Sequence, residues 1–120
     1  QKIIIEKLAA SESCVIVGKC ADYILKDYDN VVSIYVEAPR SYTLRRVMER
    51  MDDITVEEAH HLITKTDKYR ADYYKYYTGQ EWKNAQNYDL SLDSSRLGFD
   101  GTVEAILSYI EVRKKFDKTM

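Results

Sequence analysis

Three short strand-like runs constrain this 120-residue chain more than any other feature. Ser13–Val17 is apolar and stops at Gly18, the pattern of a strand buried on both faces. Val31–Val36 repeats that character, and Tyr88–Leu92 alternates before running into Asp93-Ser94-Ser95. Helical spacing fills the gaps between the runs. Strands joined by helices make right-handed crossovers, so the expected class is α/β: a parallel sheet covered by helices.

The helices announce themselves by spacing and by their ends. Lys2–Ser11 pairs Ile4 with Leu8 and Ile5 with Ala9, although three consecutive isoleucines keep a strand reading open. Ala21–Lys26 reads as a short helix. Pro39 opens the next one, where its missing N–H does no harm, and Leu44, Val47, Met48 and Met51 are expected to face inward. Thr55-Val-Glu-Glu58 has the form of a capping box, which starts a long helix that Gly79 ends. Asp100 is expected to start the last helix, with Val103, Ile106, Leu107 and Ile110 as its core stripe and Arg113–Met120 as a fraying end.

Hydrophobic residues at 45% and charged residues at 32% fit one compact domain over residues 1–120 rather than a disordered tail. A net charge of −2 argues against a protein that sheathes nucleic acid, so phosphate chemistry has to be local. No apolar run reaches the roughly 20 residues that span a bilayer, and no export signal is recognisable; a cytoplasmic location without membrane contact is the expectation. Cys14 and Cys20 match no zinc spacing and are expected as buried free thiols. The oligomeric state is not legible. Gln1 is not an initiator, and the expectation is that further chain precedes it.

Thr64–Trp82 is the richest segment, with cations, two aspartates and five of the eleven tyrosines on one helix. At 3.6 residues per turn it has three faces. Leu62, Thr66, Tyr69, Tyr73 and Tyr76 form a stripe suited to packing, while Lys65, Lys68, Asp72 and Lys75 suit solvent. Ile63, Asp67, Arg70 and Tyr74 stack a carboxylate, a guanidinium and a phenol along one edge, which suits a polar ligand with anionic groups.

In an open parallel sheet, ligands sit beyond the carboxyl ends of the strands. That rule directs attention to Gly18, Lys19 and Asp22, to residues 37–40 and to Asp93-Ser94-Ser95. Gly18 permits close backbone approach, although the same residue also serves to turn the chain. Gly18-Lys19 is not a nucleotide-phosphate loop, because Ser13 stands at the first glycine position of G-x-x-x-x-G-K-[ST] and Cys20 at the hydroxyl position. Arg45, Arg46 and Arg50 suit phosphate through their planar forks, or a solvated face. His60 and His61 are about 100° apart around a helix and cannot share one metal from it; no metal site is expected.

Taken together, CVIVGKCADYIL, VVSIYVEAPRSYTLRRVMER, KTDKYRADYYKYYTGQEW and NYDLSLDSS resemble the cytidylate kinase-like family of P-loop nucleoside monophosphate kinases. The resemblance implies a three-layer P-loop core with a helical lid, about residues 52–82. It implies transfer of the terminal phosphoryl group of ATP, with magnesium, to a nucleoside monophosphate. By this likeness Gly18, Lys19 and Asp22 match a Gly-Arg-Asp region that binds the acceptor nucleotide, with Ala21 intervening and lysine in place of arginine. Asp67 and Arg70 match an Asp-x-x-Arg on the lid-side helix, with Tyr74 on the same edge. Arg46 and Arg50 fall where family arginines face donor phosphates, Lys65, Lys68 and Arg70 are lid cations, and Asp93-Ser94-Ser95 matches the strand end near the donor base. The glycine-rich phosphate loop is not in this sequence, and roughly 70 to 90 residues of strand, loop, helix and subdomain are expected upstream. The 120 residues alone are therefore expected to be inactive. Small-molecule nucleotides are the expected partners. The alternative is a non-catalytic nucleotide-binding or interaction module derived from a kinase.

Overall fold

A computed structural model describes residues 2–11 and 13–119. The described residues form a helix-rich α/β arrangement around a small parallel sheet. Helix α1 (Lys2–Ser11) is followed by the one-turn α2 (Ala21–Ile24), strand β1 (Ile34–Glu37), α3 (Arg40–Arg50), α4 (Val56–Thr78), a 3₁₀ turn (Ala85–Asn87), β2 (Leu90–Asp93) and α5 (Ser94–Phe116). The two strands run parallel in the register Ile34 to Leu90 through Glu37 to Asp93. Asp89 ties them together just before pairing begins: its N–H donates to the Ser33 carbonyl, and its Oδ2 accepts the Ser33 N–H, both at 2.8 Å.

The expected first strand, Ser13–Val17, is extended but unpaired. A strand is defined by its ladder, and no described residue supplies one here. Ile16 is drawn against the cluster of Ile5, Ala21 and Leu25 that joins α1 to α2. Its neighbours on the opposite face, Val15 and Val17, stand 92% and 86% exposed. The other two strands begin two or three residues later than their patterns suggest and number four residues each.

Helix α4 starts on the expected capping box. Thr55 N–H donates to Glu58 Oε1 at 3.0 Å, and Glu58 N–H donates to Thr55 Oγ1 at 3.1 Å. It ends at Gly79, whose φ of 74° is a left-handed cap that lacks a Cβ penalty. The packing face is not the expected one. Ala59, Ile63 and Tyr74 are buried, whereas Tyr69 and Tyr76 are 68% and 82% exposed. The choice is made by tertiary partners: Arg40 of α3 reaches the His60 carbonyl and Thr64 Oγ1, fixing the side of α4 that meets α3. The tyrosine stripe instead forms an exposed ladder, with Tyr69 to Tyr73 and Tyr73 to Tyr77 ring centroids 6.2 and 4.7 Å apart.

Three further expectations change. Met48 and Met51 of the α3 stripe are exposed, and so are Val103 and Leu107 of the α5 stripe. The last helix begins at Ser94, with a break at Gly98 (φ 70°, ψ −175°), so Asp100 lies just past the break. Arg113, assigned above to a fraying end, is instead a clamp. It donates through Nε to Asp117 (3.0 Å), through Nη1 to the Val31 carbonyl (2.7 Å) and Asp89 (3.3 Å), and through Nη2 to the Asp29 carbonyl (3.1 Å). Five donors in a fixed fork let one side chain hold α5, the lead-in to β1 and the start of β2. Met120 lies outside the described residues, as does Gln1. Among the described residues no helix is long and apolar enough to cross a membrane.

Candidate functional site

The turn before α2 has the longest run of left-handed backbone among the described residues. Gly18, Lys19 and Cys20 have φ of 72°, 61° and 56°, three consecutive residues in the left-handed region. For the two with side chains this costs roughly 1–2 kcal/mol each. Several contacts hold the turn. Ala21 N–H donates to the Gly18 carbonyl, the Tyr23 and Ile24 N–H groups donate to the Cys20 carbonyl, and Cys20 and Ala21 are buried. Burial, and then the Asp22 carboxylate, push the Cys20 thiol up, so it stays protonated and inert. Cys14, by contrast with the expectation, is exposed.

Asp22 lies in the first turn of α2, and its Oδ2 accepts the Tyr74 hydroxyl of α4 at 2.7 Å. Gln80 Oε1 lies 3.2 Å from the same hydroxyl. A phenol has one proton, and the shorter bond to a charged acceptor takes it. Tyr74 is only 5% exposed, and burial, followed by the Asp22 hydrogen bond and charge, raises its ionisation far above the ordinary range. The phenol is therefore a donor at every working pH.

Behind this pair stands an aromatic cluster. Tyr35 of β1 stacks on Tyr88 at 5.1 Å and meets Trp82 edge-on at 5.4 Å, and the Tyr88 hydroxyl donates to the Trp82 carbonyl at 2.6 Å. Burial and then Asp22 push the Tyr88 phenol up to about 12. The Tyr35 phenol is raised by burial, then by Glu37 and Asp67, with Arg70 acting in the opposite direction. The charges of Asp67 and Arg70 thus act in opposite senses on the same hydroxyl. Asp67, Arg70 and Tyr74 share one edge of α4, Tyr74 alone of them bonds Asp22 of α2, and Lys19 lies exposed on the strained turn.

Sequence reasoning missed Tyr35, Gln80, Trp82 and Tyr88. Trp82, the one tryptophan, carries the clearest signal, since it follows the helix-ending Gly79 at short range. Nothing in the spacing tells Tyr35 and Tyr88 apart from sheet packing.

The remaining candidates have local partners or are exposed. Arg46 lies 3.7 Å from Glu49, Lys68 pairs with Asp72 at 2.7 Å, and Lys65 and Arg50 are exposed. Asp93 caps α5: its Oδ1 accepts the Ser95 N–H at 2.9 Å and the Ser95 hydroxyl at 2.6 Å, which holds its carboxyl below the usual carboxylate range. Ser94 donates to the Glu37 carbonyl at 3.3 Å, closing the ends of the two strands together. His60 and His61 are exposed. An open hollow of about 490 Å³ belongs to the Arg113 clamp, lined by Asp89, Tyr109, Val112, Phe116 and Asp117, and shares no residue with the aromatic cluster. Among the described residues no group of three His, Cys, Asp or Glu side chains is placed to hold a metal.

Comparison with known proteins adds a family to this geometry. The chain is similar to the crystal structure of an uncharacterized protein from Eubacterium ventriosum ATCC 27560, with 28% identity and a TM-score of 0.80 over 93% of this chain. It spans only 63% of that structure's length. No curated protein matches. The profile of the cytidylate kinase-like family matches residues 1–96, well over half of the sequence, and the chain therefore belongs to the cytidylate kinase-like family.

Proposed function

We propose that the full-length protein is a nucleotide kinase that moves the terminal phosphoryl group of ATP to a nucleoside monophosphate, and that these 120 residues supply much of its acceptor side. The observation that carries this reading is the 2.7 Å bond between Tyr74 and Asp22, which joins the loop at residues 18–22 to the helix face bearing Asp67 and Arg70. A carboxylate accepts from sugar or base donors, and a guanidinium pairs with phosphate, so this group of residues suits an anionic nucleotide.

On the donor side this sequence offers Arg46, Arg50 and Asp93-Ser94-Ser95 but not the phosphate loop. The G-x-x-x-x-G-K-[ST] motif, which would cradle the ATP phosphates, is missing from the sequence. The reading is accordingly confined to binding and alignment. Phosphoryl transfer depends mainly on bringing two anions into line and balancing their charge. Arg70, exposed on α4, is the cation best situated to do this for the acceptor phosphate, with Lys65 and Lys68 on neighbouring faces of the same helix. Closure of α4 over the bound nucleotide would exclude water.

Calorimetry of the full-length protein against CMP, dCMP, UMP, AMP and shikimate tests the class. Saturable binding of one monophosphate supports it, and turnover with ATP completes it. Arg70→Ala is expected to lower turnover at least about tenfold, the scale of one transition-state charge contact. Monophosphate binding without turnover would favour a non-catalytic nucleotide-binding module, and silence from every ligand would refute both nucleotide readings.

A further inference from the structure

We propose that Tyr74 is a positioning residue: its hydroxyl clamps the left-handed Gly18–Lys19–Cys20 turn to α4 and occupies Asp22 Oδ2, leaving Oδ1 to accept from a hydrogen-bond donor of the bound nucleotide. The inference rests on the acceptor-side reading above and names the group that makes it work.

Three observations bear on it independently. The first is strain. Two side-chain-bearing residues, Lys19 and Cys20, sit in the left-handed region next to Gly18, and such a turn persists only where its surroundings over-determine it. The turn's own hydrogen bonds are local, whereas the bond from Tyr74 to Asp22 spans 52 positions in sequence and ties it to a rigid 23-residue helix. The second is the way Tyr74 is fixed. It is buried, its carbonyl accepts the Thr78 hydroxyl at 2.7 Å, and Thr78 in turn accepts the Gln80 N–H at 3.0 Å. The end of α4, its glycine cap and the loop that follows therefore move together with the phenol. The third is the division of the carboxylate. Oδ2 has a partner, while Oδ1 receives no hydrogen bond among the described residues, and an ionised carboxylate has room for further donors. A carboxylate that rotates freely presents either oxygen; one held through Oδ2 presents Oδ1 in one orientation. This is preorganisation, which lowers the entropy cost of binding.

A nucleotide offers two kinds of donor to Oδ1, a sugar hydroxyl and an exocyclic base amine. CMP against dCMP isolates the 2′-hydroxyl, CMP against 3′-deoxy-CMP the 3′-hydroxyl, and CMP against UMP the base amine. Whichever removal weakens wild-type binding identifies the donor.

Tyr74→Phe removes the hydroxyl and keeps the buried ring, so packing is conserved. In the full-length protein the expected result is a rise of about tenfold in KM for the acceptor, with KM for ATP within about twofold of wild type, since one charge-assisted hydrogen bond is at stake. Asp22→Ala with Tyr74→Phe should be no worse than Asp22→Ala alone, because either change removes the same interaction. Amide exchange at Ala21, Tyr23 and Ile24 should quicken several-fold in Tyr74→Phe, while α5 amides stay as they were. Equal changes in both KM values, strictly additive losses, or unchanged exchange in the turn would overturn the proposal. If the wild-type protein binds no monophosphate, the kinase reading fails, and so does the positioning role, even where the exchange data uphold the clamp.

Discussion

Arg113→Ala provides the most direct test of how this chain is held together. The side chain is 14% exposed and donates to two carboxylates and two backbone carbonyls, which belong to three segments distant in sequence. Hydrogen bonds involving a charged group contribute about 1.5–3 kcal/mol each when buried. Asp89 and Asp117 are about a third exposed, so solvent screening reduces their share, and the four bonds act as one network rather than as a sum. The expected loss is about 2–3 kcal/mol, chiefly from the Val31 and Asp29 carbonyls left without their donor. At about 4 °C per kcal/mol for a chain of this size, the melting midpoint should fall by about 8–12 °C. Arg113→Lys keeps the charge but not the fork, and should recover less than half of the loss. Thermal unfolding followed by circular dichroism, with urea titration as a check, measures both. A loss below about 0.5 kcal/mol for Arg113→Ala, typical of an ordinary surface site, would refute the clamp.

The capping box predicts a pH dependence with a definite sign. Glu58 is held below its ordinary 4.5 by the Thr55 N–H and then by the Thr55 hydroxyl, so its contribution is present above that value and disappears as pH falls through the lowered one. Glu58→Gln should flatten this part of the acid unfolding curve, and an unchanged curve would show that the carboxylate contributes nothing. Thr55→Ala should cost about 1 kcal/mol at neutral pH, measured by urea unfolding. The two faces of α4 predict opposite outcomes: Ile63→Ala should cost about 2–4 kcal/mol and Tyr76→Ala less than about 0.5 kcal/mol. Reversal of that order would mean that the tyrosine stripe, not the Ile63 face, packs inward.

Helix ends were legible because their causes are local. Thr55 and Glu58 satisfy each other's backbone donors three residues apart, Pro39 precedes α3, and Gly79 takes a conformation that other residues adopt only with strain. The parallel pairing of the second and third strand-like runs was also legible, because a helical crossover between them permits little else. The strand at Ser13–Val17 was not, since apolar character makes a segment suited to pairing but does not supply a neighbour. Nor was the buried side of α4. Both Leu62-Tyr69-Tyr73 and Ile63-Tyr74 are amphipathic at helical spacing, and periodicity reports that a face exists without reporting which face meets a partner.

Sequence by itself determined the class, the start of α3, both ends of α4 and the four segments that carry the family likeness, all of which follow from spacings of a few residues. Tertiary structure alone decided that Tyr74 reaches Asp22, that Tyr35 and Tyr88 stand behind them, and that Arg113 clamps rather than frays. These contacts join residues some 50 to 80 positions apart. Such contacts depend on how separate elements dock, and no local pattern encodes the distance across the gap.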